Sequence, residues 1–202
     1  MLSKRSYLAI AAIGALLVLA TVLSIWLYRP RVRAQHLLVK VSALQVGKST
    51  FDEAQQLAIR VKATPSVPCS SSGCTWYVRV ENSPIPRLWR GAGATFSAEF
   101  TVKDSVVSER GFGYQVGTGP NISFAEVDEQ VHWKGNTTEP VFVNRVITAA
   151  DPYYRVFVRL TPAVPDETRK RYLSFDFGCL SKYGGCQNAR DLLPTVDWAE
   201  EP

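Results

Sequence analysis

The sequence predicts an α+β fold with an N-terminal transmembrane helix, on three observations: one uncharged apolar run, one amphipathic stretch of helical period, and a series of segments alternating with period two. The run is residues 7–28, YLAIAAIGALLVLATVLSIWLY. As a helix it would measure ~33 Å, against a hydrocarbon core of about 30 Å. A cleaved signal peptide would share its basic start, Lys4 and Arg5, and Val32 and Ala34 form a small-residue cleavage signature. Signal peptides, however, have an apolar region of about 7–15 residues. This run is longer and leads into Arg-Pro-Arg-Val-Arg. The organisation read from this is a tail at 1–6, a signal-anchor helix at 7–28, a basic juxtamembrane linker at 29–36 and an extracytoplasmic α+β domain at 37–202. Trp26 and Tyr28 suit the aromatic belt, and Arg29, Arg31 and Arg33 suit the headgroups of the lipid bilayer, the first expected partner.

Charge excludes one class of function. The chain has 23 basic and 18 acidic residues, but Lys4, Arg5, Arg29, Arg31 and Arg33 lie within the first 33 residues, where there is no acid. The remainder is neutral. Nucleic-acid binding needs a cationic surface that displaces counterions, so no nucleic-acid partner is expected.

The flanking cations do not support an outside orientation by the positive-inside rule. The cysteines do. Cys69 and Cys74 bracket Ser-Ser-Ser-Gly, and Cys179 and Cys186 bracket Leu-Ser-Lys-Tyr-Gly-Gly, turns that let each pair meet in a local disulfide, although four cysteines allow three connectivities and sequence alone does not rule out cross-pairing. Disulfides persist in oxidising compartments, which would put residues 34–202 outside the cytoplasm. A four-cysteine zinc site fits badly, because its pairs are normally closer together. No metal or cofactor is expected.

The domain opens with HLLVKVSALQV, in which Leu38, Val39, Val41, Leu44 and Val46 predict a strand leading away from the membrane. Gly47 permits a turn. Thr50 and Glu53 then form a capping box, and Phe51, Ala54, Leu57, Ala58 and Val61 recur at helical spacing, giving an amphipathic helix packed on the sheet. The Gly47-Lys48-Ser49-Thr50 sequence looks like the end of a phosphate loop, but the glycine such a loop requires would fall at Ser42. The turn and cap explain it without a nucleotide.

From residue 74 the pattern is period two. CTWYVRVEN, ATFSAEFTV, SVVSERGFGYQVG, NISFAEV, VHWK, VFVNRVITA and YYRVFVRLT predict successive strands in an antiparallel meander, with hairpin turns at Lys103-Asp104 and Ala150-Asp151-Pro152. SFDFG predicts a strand running into Cys179. A short helix is expected at about 188–193, stopped by Pro194.

The two elements GKSTFDEAQQL and GCLSKYGGCQNARDLLPTVDW resemble those of uncharacterised single-pass membrane-anchored proteins of acidobacterial type. The resemblance covers most of the chain and implies no activity. The first element is also similar to the early helix of small outer-membrane assembly lipoproteins, but the lipid-bearing cysteine is missing.

Catalytic candidates are few. The only histidines are His36, beside the membrane flank, and His132, in a strand, where exposure is the simpler reading. Glu126, Asp128 and Glu129 could form an acid/base set, yet carboxylates in a strand mostly face water. Trp76, Trp89, Trp133 and Trp198 offer stacking faces, with Trp89 in the loop PRLWRG best placed; Trp89, Arg87 and Arg90 form the candidate binding surface. The reading is a membrane-tethered extracytoplasmic domain, not an enzyme, that binds or scaffolds an envelope protein. The alternatives are a tethered carbohydrate-binding module and an extracytoplasmic hydrolase.

Overall fold

The structure, a computed structural model, describes residues 4–66, 69–70, 73–82, 93–118, 121–131, 137–146, 154–181, 186 and 189–195. Lys4–Ser42 form a single helix, α1, of 39 residues. It is long and apolar enough to cross a membrane by length and composition, and none of its most apolar window is buried. Beyond Tyr28 its character changes. Pro30, Ala34, Leu37 and Val41, spaced three or four residues apart, are buried on one side, while Val32, Gln35, His36, Val39 and Lys40 face outward. This half packs on the sheet.

The strand expected at HLLVKV is therefore wrong, since those residues are the last turns of α1, and the stretch read as a basic linker is helical as well. The same letters carry both periods. The helical one wins because it places Ala34, Leu37 and Val41 against the core, each at most 5% exposed, and leaves Lys40 outside. Pro30 lies inside the helix. It costs one backbone hydrogen bond, but its buried ring packs on the domain side and the helix continues.

Helix α2, Phe51–Val61, forms as its sequence dictates. Thr50 accepts from the Glu53 amide and the Glu53 carboxylate accepts from the Thr50 amide at 2.8 Å, closing the capping box. Ala54, Leu57 and Ala58 are buried, and Lys62, in the left-handed conformation at φ 56°, ends the helix. The Gly-Lys-Ser-Thr turn before it is stitched to the sheet by its backbone: the Gly47 amide donates to the Val107 carbonyl, the Val107 amide to Ser49, and the Phe51 amide to Ser105. Gly47 takes φ +79°, where a side chain would be strained.

Among the described residues the sheet has seven strands: β1 (Thr64–Pro65), β2 (Gly73–Glu81), β3 (Ala94–Lys103), β4 (Val106–Thr118), β5 (Asn121–Gln130), β6 (Val141–Val146) and β7 (Tyr154–Leu160), in the order β1-β2-β3-β4-β5-β7-β6. Strands β2 to β5 are the expected antiparallel meander. Asp104 and Ser105, both at positive φ, make the tight turn between β3 and β4. The meander then breaks, because β7 inserts parallel to β5 and β6 pairs antiparallel on its far side. The fold is α+β with a mostly antiparallel sheet.

Among the described residues three short helical segments follow β7: α3 (Asp166–Tyr172), a 3-10 turn at Phe177–Leu180 and α4 (Ala189–Leu192). The strand expected in SFDFG is instead this 3-10 turn, capped by the Asp176 carboxylate accepting from the Gly178 amide at 2.8 Å. Phe175 and Phe177 still alternate inward, and both set ring edges on Phe96, at 5.5 and 4.8 Å. Cys69 pairs with Cys74 and Cys179 with Cys186 in disulfides, the Cα atoms 4.6 and 5.2 Å apart.

Candidate functional site

One face of the sheet is covered and the other is open. Alternation puts Phe96, Phe100, Phe112, Tyr114, Val127 and Val158 under the helices. On the opposite face the pairing register lines up two rows across the strands. One runs Tyr77, Glu99, Gly111, Asp128, Arg159; the next runs Arg79, Ser97, Gly113, Glu126, Phe157. Each row has glycine at its centre. The missing side chains leave a cleft of about 310 Å³, whose lining also includes Glu109, Gln115 and Phe124.

A side chain at either glycine would crowd what lies over it. A Cβ at Gly111 would come within 2.5 Å of the Asp128 Oδ1 atom, and one at Gly113 within 2.9 Å of the Ser97 Oγ atom and 3.4 Å of the Phe124 ring. Phe124 in turn rests on Phe157, with ring centroids 5.7 Å apart. The rim on β2 is made by Arg79, which donates to the Tyr77 hydroxyl at 3.3 Å and stacks over its ring at 5.6 Å.

Four carboxylates converge here: Glu99, Glu109, Glu126 and Asp128. Burial, and then the charge and hydrogen bond of Glu126, push Asp128 from 3.8 up to about 8, although Arg159 pulls the other way. Burial followed by Glu109 and Glu126 also raises Glu99. The Gln130 amide donates to Glu109 at 2.5 Å. Crowded together, these acids raise the proton affinity of Asp128 and Glu99, and a cationic ligand group placed among them would relieve the crowding.

Glu129, the third member of the acid/base set read from sequence, points the other way. It lies on the helix side, 5% exposed, where its Oε2 accepts from the Nε and Nη2 of Arg110 at 2.8 and 2.5 Å and its Oε1 faces Nη2 of Arg169 at 3.3 Å. Arg110 also donates through Nη1 to the Ser42 and Leu44 carbonyls at the end of α1. This network joins α1, the sheet and α3 and has a structural role.

The other sequence candidates fall as follows. Trp76 is core, stacked on Phe100 at 5.4 Å. His36 is exposed on α1. Trp89, Arg87 and Arg90, with His132, Trp133, Asp151 and Trp198, lie outside the described residues. Among the described residues no group of three or more His, Cys, Asp or Glu side chains is arranged to hold a metal ion. Sequence reasoning had Glu126 and Asp128 but missed Glu99, Glu109 and the two glycines, whose convergence depends on strand register. The spacing Gly111-Phe-Gly113 within an alternating strand was the available signal. No protein-family model, curated protein or solved structure matches this chain.

Proposed function

We propose that the chain is a single-pass membrane protein whose domain lies outside the cytoplasm and recognises another envelope protein through the open face of its sheet. The bound element is an extended segment presenting lysine or arginine side chains. The carrying observation is the glycine-floored cleft, in which Glu99, Glu109, Glu126 and Asp128 converge without an equal number of cations. Cationic groups on a partner would neutralise carboxylates that now raise one another's proton affinity. Support for the membrane and its far side comes from the exposed apolar half of α1 and from the two disulfides. Recognition suits the site better than turnover, since the cleft combines acids with an aromatic rim and has no nucleophile paired with a base among the described residues.

The test is zero-length carbodiimide crosslinking in intact cells, which joins carboxylates to lysine amines at salt-bridge distance. The expected result is a peptide crosslinked through Glu99 or Glu126 to one lysine of one membrane or envelope protein, lost in the Glu99→Gln/Glu126→Gln variant. If crosslinks form equally in that variant, the open face is not the interface. Retention on cell-wall polysaccharide without any such crosslink would instead favour a sugar-binding module.

A further inference from the structure

Helix α1 carries its buried residues and a stripe of exposed apolar ones on different sides. Pro30, Ala34, Leu37 and Val41 face the domain. Away from it, Val18, Ile25, Val32 and Val39 recur at every seventh residue and are 65, 54, 39 and 69% exposed. Gly14, Thr21, Tyr28 and Gln35, also exposed, repeat with the same period four places earlier. At about 100° per residue the two series merge into one stripe, centred ~160° around the helix from the buried side. None of Arg29, Arg31, Arg33 and Lys40 falls on it. A seven-residue apolar repeat of this kind is the seam along which helices wind around one another.

We propose that α1 pairs along this stripe, in parallel, with α1 of a second copy of the chain. The pairing rests on the reading that α1 spans a membrane, because a bilayer gives two copies the same direction and depth and so sets each stripe residue opposite itself. Val or Ile at Val18, Ile25, Val32 and Val39, the series that leads the repeat, favours two strands over more. Between lipid tails apolar burial drives nothing, and close approach decides. Gly14 and Thr21 permit it, and a Cβ at Gly14 would meet nothing within 4 Å, so its own fold does not need that space. Val32 and Val39 stand ~6 and ~16 Å beyond Tyr28, on the water side, where covering them is favourable. From Gly14 to Val39 the stripe is ~38 Å long, and half the perimeter of a ~10 Å helix is ~16 Å, so about 600 Å² of each copy is covered and ~1,200 Å² in all. That reaches the range of stable interfaces, which begins at roughly 1,200 Å². Because α1 packs on the covered face of the sheet, both open faces point outward and stay accessible.

The test is a cysteine scan of the full chain in membranes, using a short bis-maleimide that joins free thiols and leaves closed disulfides alone. Val32→Cys, Gln35→Cys and Val39→Cys should each give a crosslinked homodimer, while Arg33→Cys and Lys40→Cys, exposed but pointing away from the seam, should give little. Adding Val32→Asp and Val39→Asp to Ile25→Cys should cut its dimer yield about tenfold, because each carboxylate would be forced against its own copy. Both valines are exposed in the single chain, so the near-ultraviolet circular dichroism of this variant should match the wild type. The Glu99→Gln/Glu126→Gln change should leave the pattern intact, which separates the pair from the partner proposed above. Equal yields at all five positions, no homodimer at Val32 and Val39, or an undiminished yield with the two aspartates would each overturn the pairing. Release of the chain from membranes by alkaline carbonate would overturn the membrane reading instead, and the period of the crosslinks would still decide the pair.

Discussion

Replacing Asp128 by asparagine should stabilise the protein, and the gain should grow with pH. In the unfolded chain the carboxyl releases its proton near 3.8, whereas on the folded sheet face it keeps it to about 8. Between those limits the folded state binds more protons than the unfolded state, so the free energy of unfolding falls as pH rises and levels off above the upper value. Fully realised, the difference would remove ~6 kcal/mol by that point. Asp128 is only partly buried, and water together with movement of Glu126 relieves much of the crowding, which lowers the upper limit of the window and the loss together; ~2 kcal/mol is the expected loss. Asparagine has nearly the same shape and cannot ionise. The variant should match the wild type near pH 4 and exceed it by ~2 kcal/mol near pH 8.5. The measurement is denaturant unfolding of the full chain in micelles, disulfides intact, followed by near-ultraviolet circular dichroism across that range. A wild-type-minus-variant difference that is flat with pH, or that slopes the other way, would refute the picture of carboxyls crowded over Gly111.

Two further outcomes concern the scaffold. Arg110→Met leaves Glu129 with Arg169 alone and strips the Ser42 and Leu44 carbonyls of their donor; a loss of ~3–5 kcal/mol is expected, and a loss under ~1 kcal/mol would mean that water replaces the guanidinium. Thr50→Ala opens the capping box and should cost ~1 kcal/mol. In the same unfolding assay, an unchanged midpoint would show that the backbone bonds of Gly47 and Phe51 hold the start of α2 unaided.

What the sequence revealed and what it hid divide by the range of the cause. The capping box of Thr50 and Glu53 and the two short cysteine loops are set by residues a few positions apart and are found as read, while the tight turn expected at Lys103-Asp104 falls one residue later, at Asp104-Ser105. Burial in β3 also follows the period without exception, Ala94, Phe96, Ala98, Phe100 and Val102 inside. The failures have non-local causes. HLLVKV fits strand and helix alike, and it is helical because α1 arrives already wound and the core accepts Ala34, Leu37 and Val41. Phe175, Phe177 and Cys179 alternate as a strand would, yet the Asp176 amide donates to the Leu192 carbonyl and both phenylalanines set their rings on Phe96, contacts with distant residues that hold Phe177–Leu180 as a 3-10 turn. Helix α3, DETRKRY, buries only Tyr172 and so carries no apolar period to detect. The parallel pairing of β5 with β7 leaves no mark in either strand. For the same reason the cleft was half legible: Glu126 and Asp128 share a strand, while Glu99 and Glu109 reach them only through register across β3 and β4.

The unbroken course of α1 from its greasy end into the core leaves the molecule without a swivel. In a bilayer, a roll of this shaft about its long axis would carry the sheet through the same angle, and each extra residue spliced in after Tyr28 would turn the body by about 100°. A neighbour that gripped one face of the shaft within the membrane would then always meet one compass bearing of the domain.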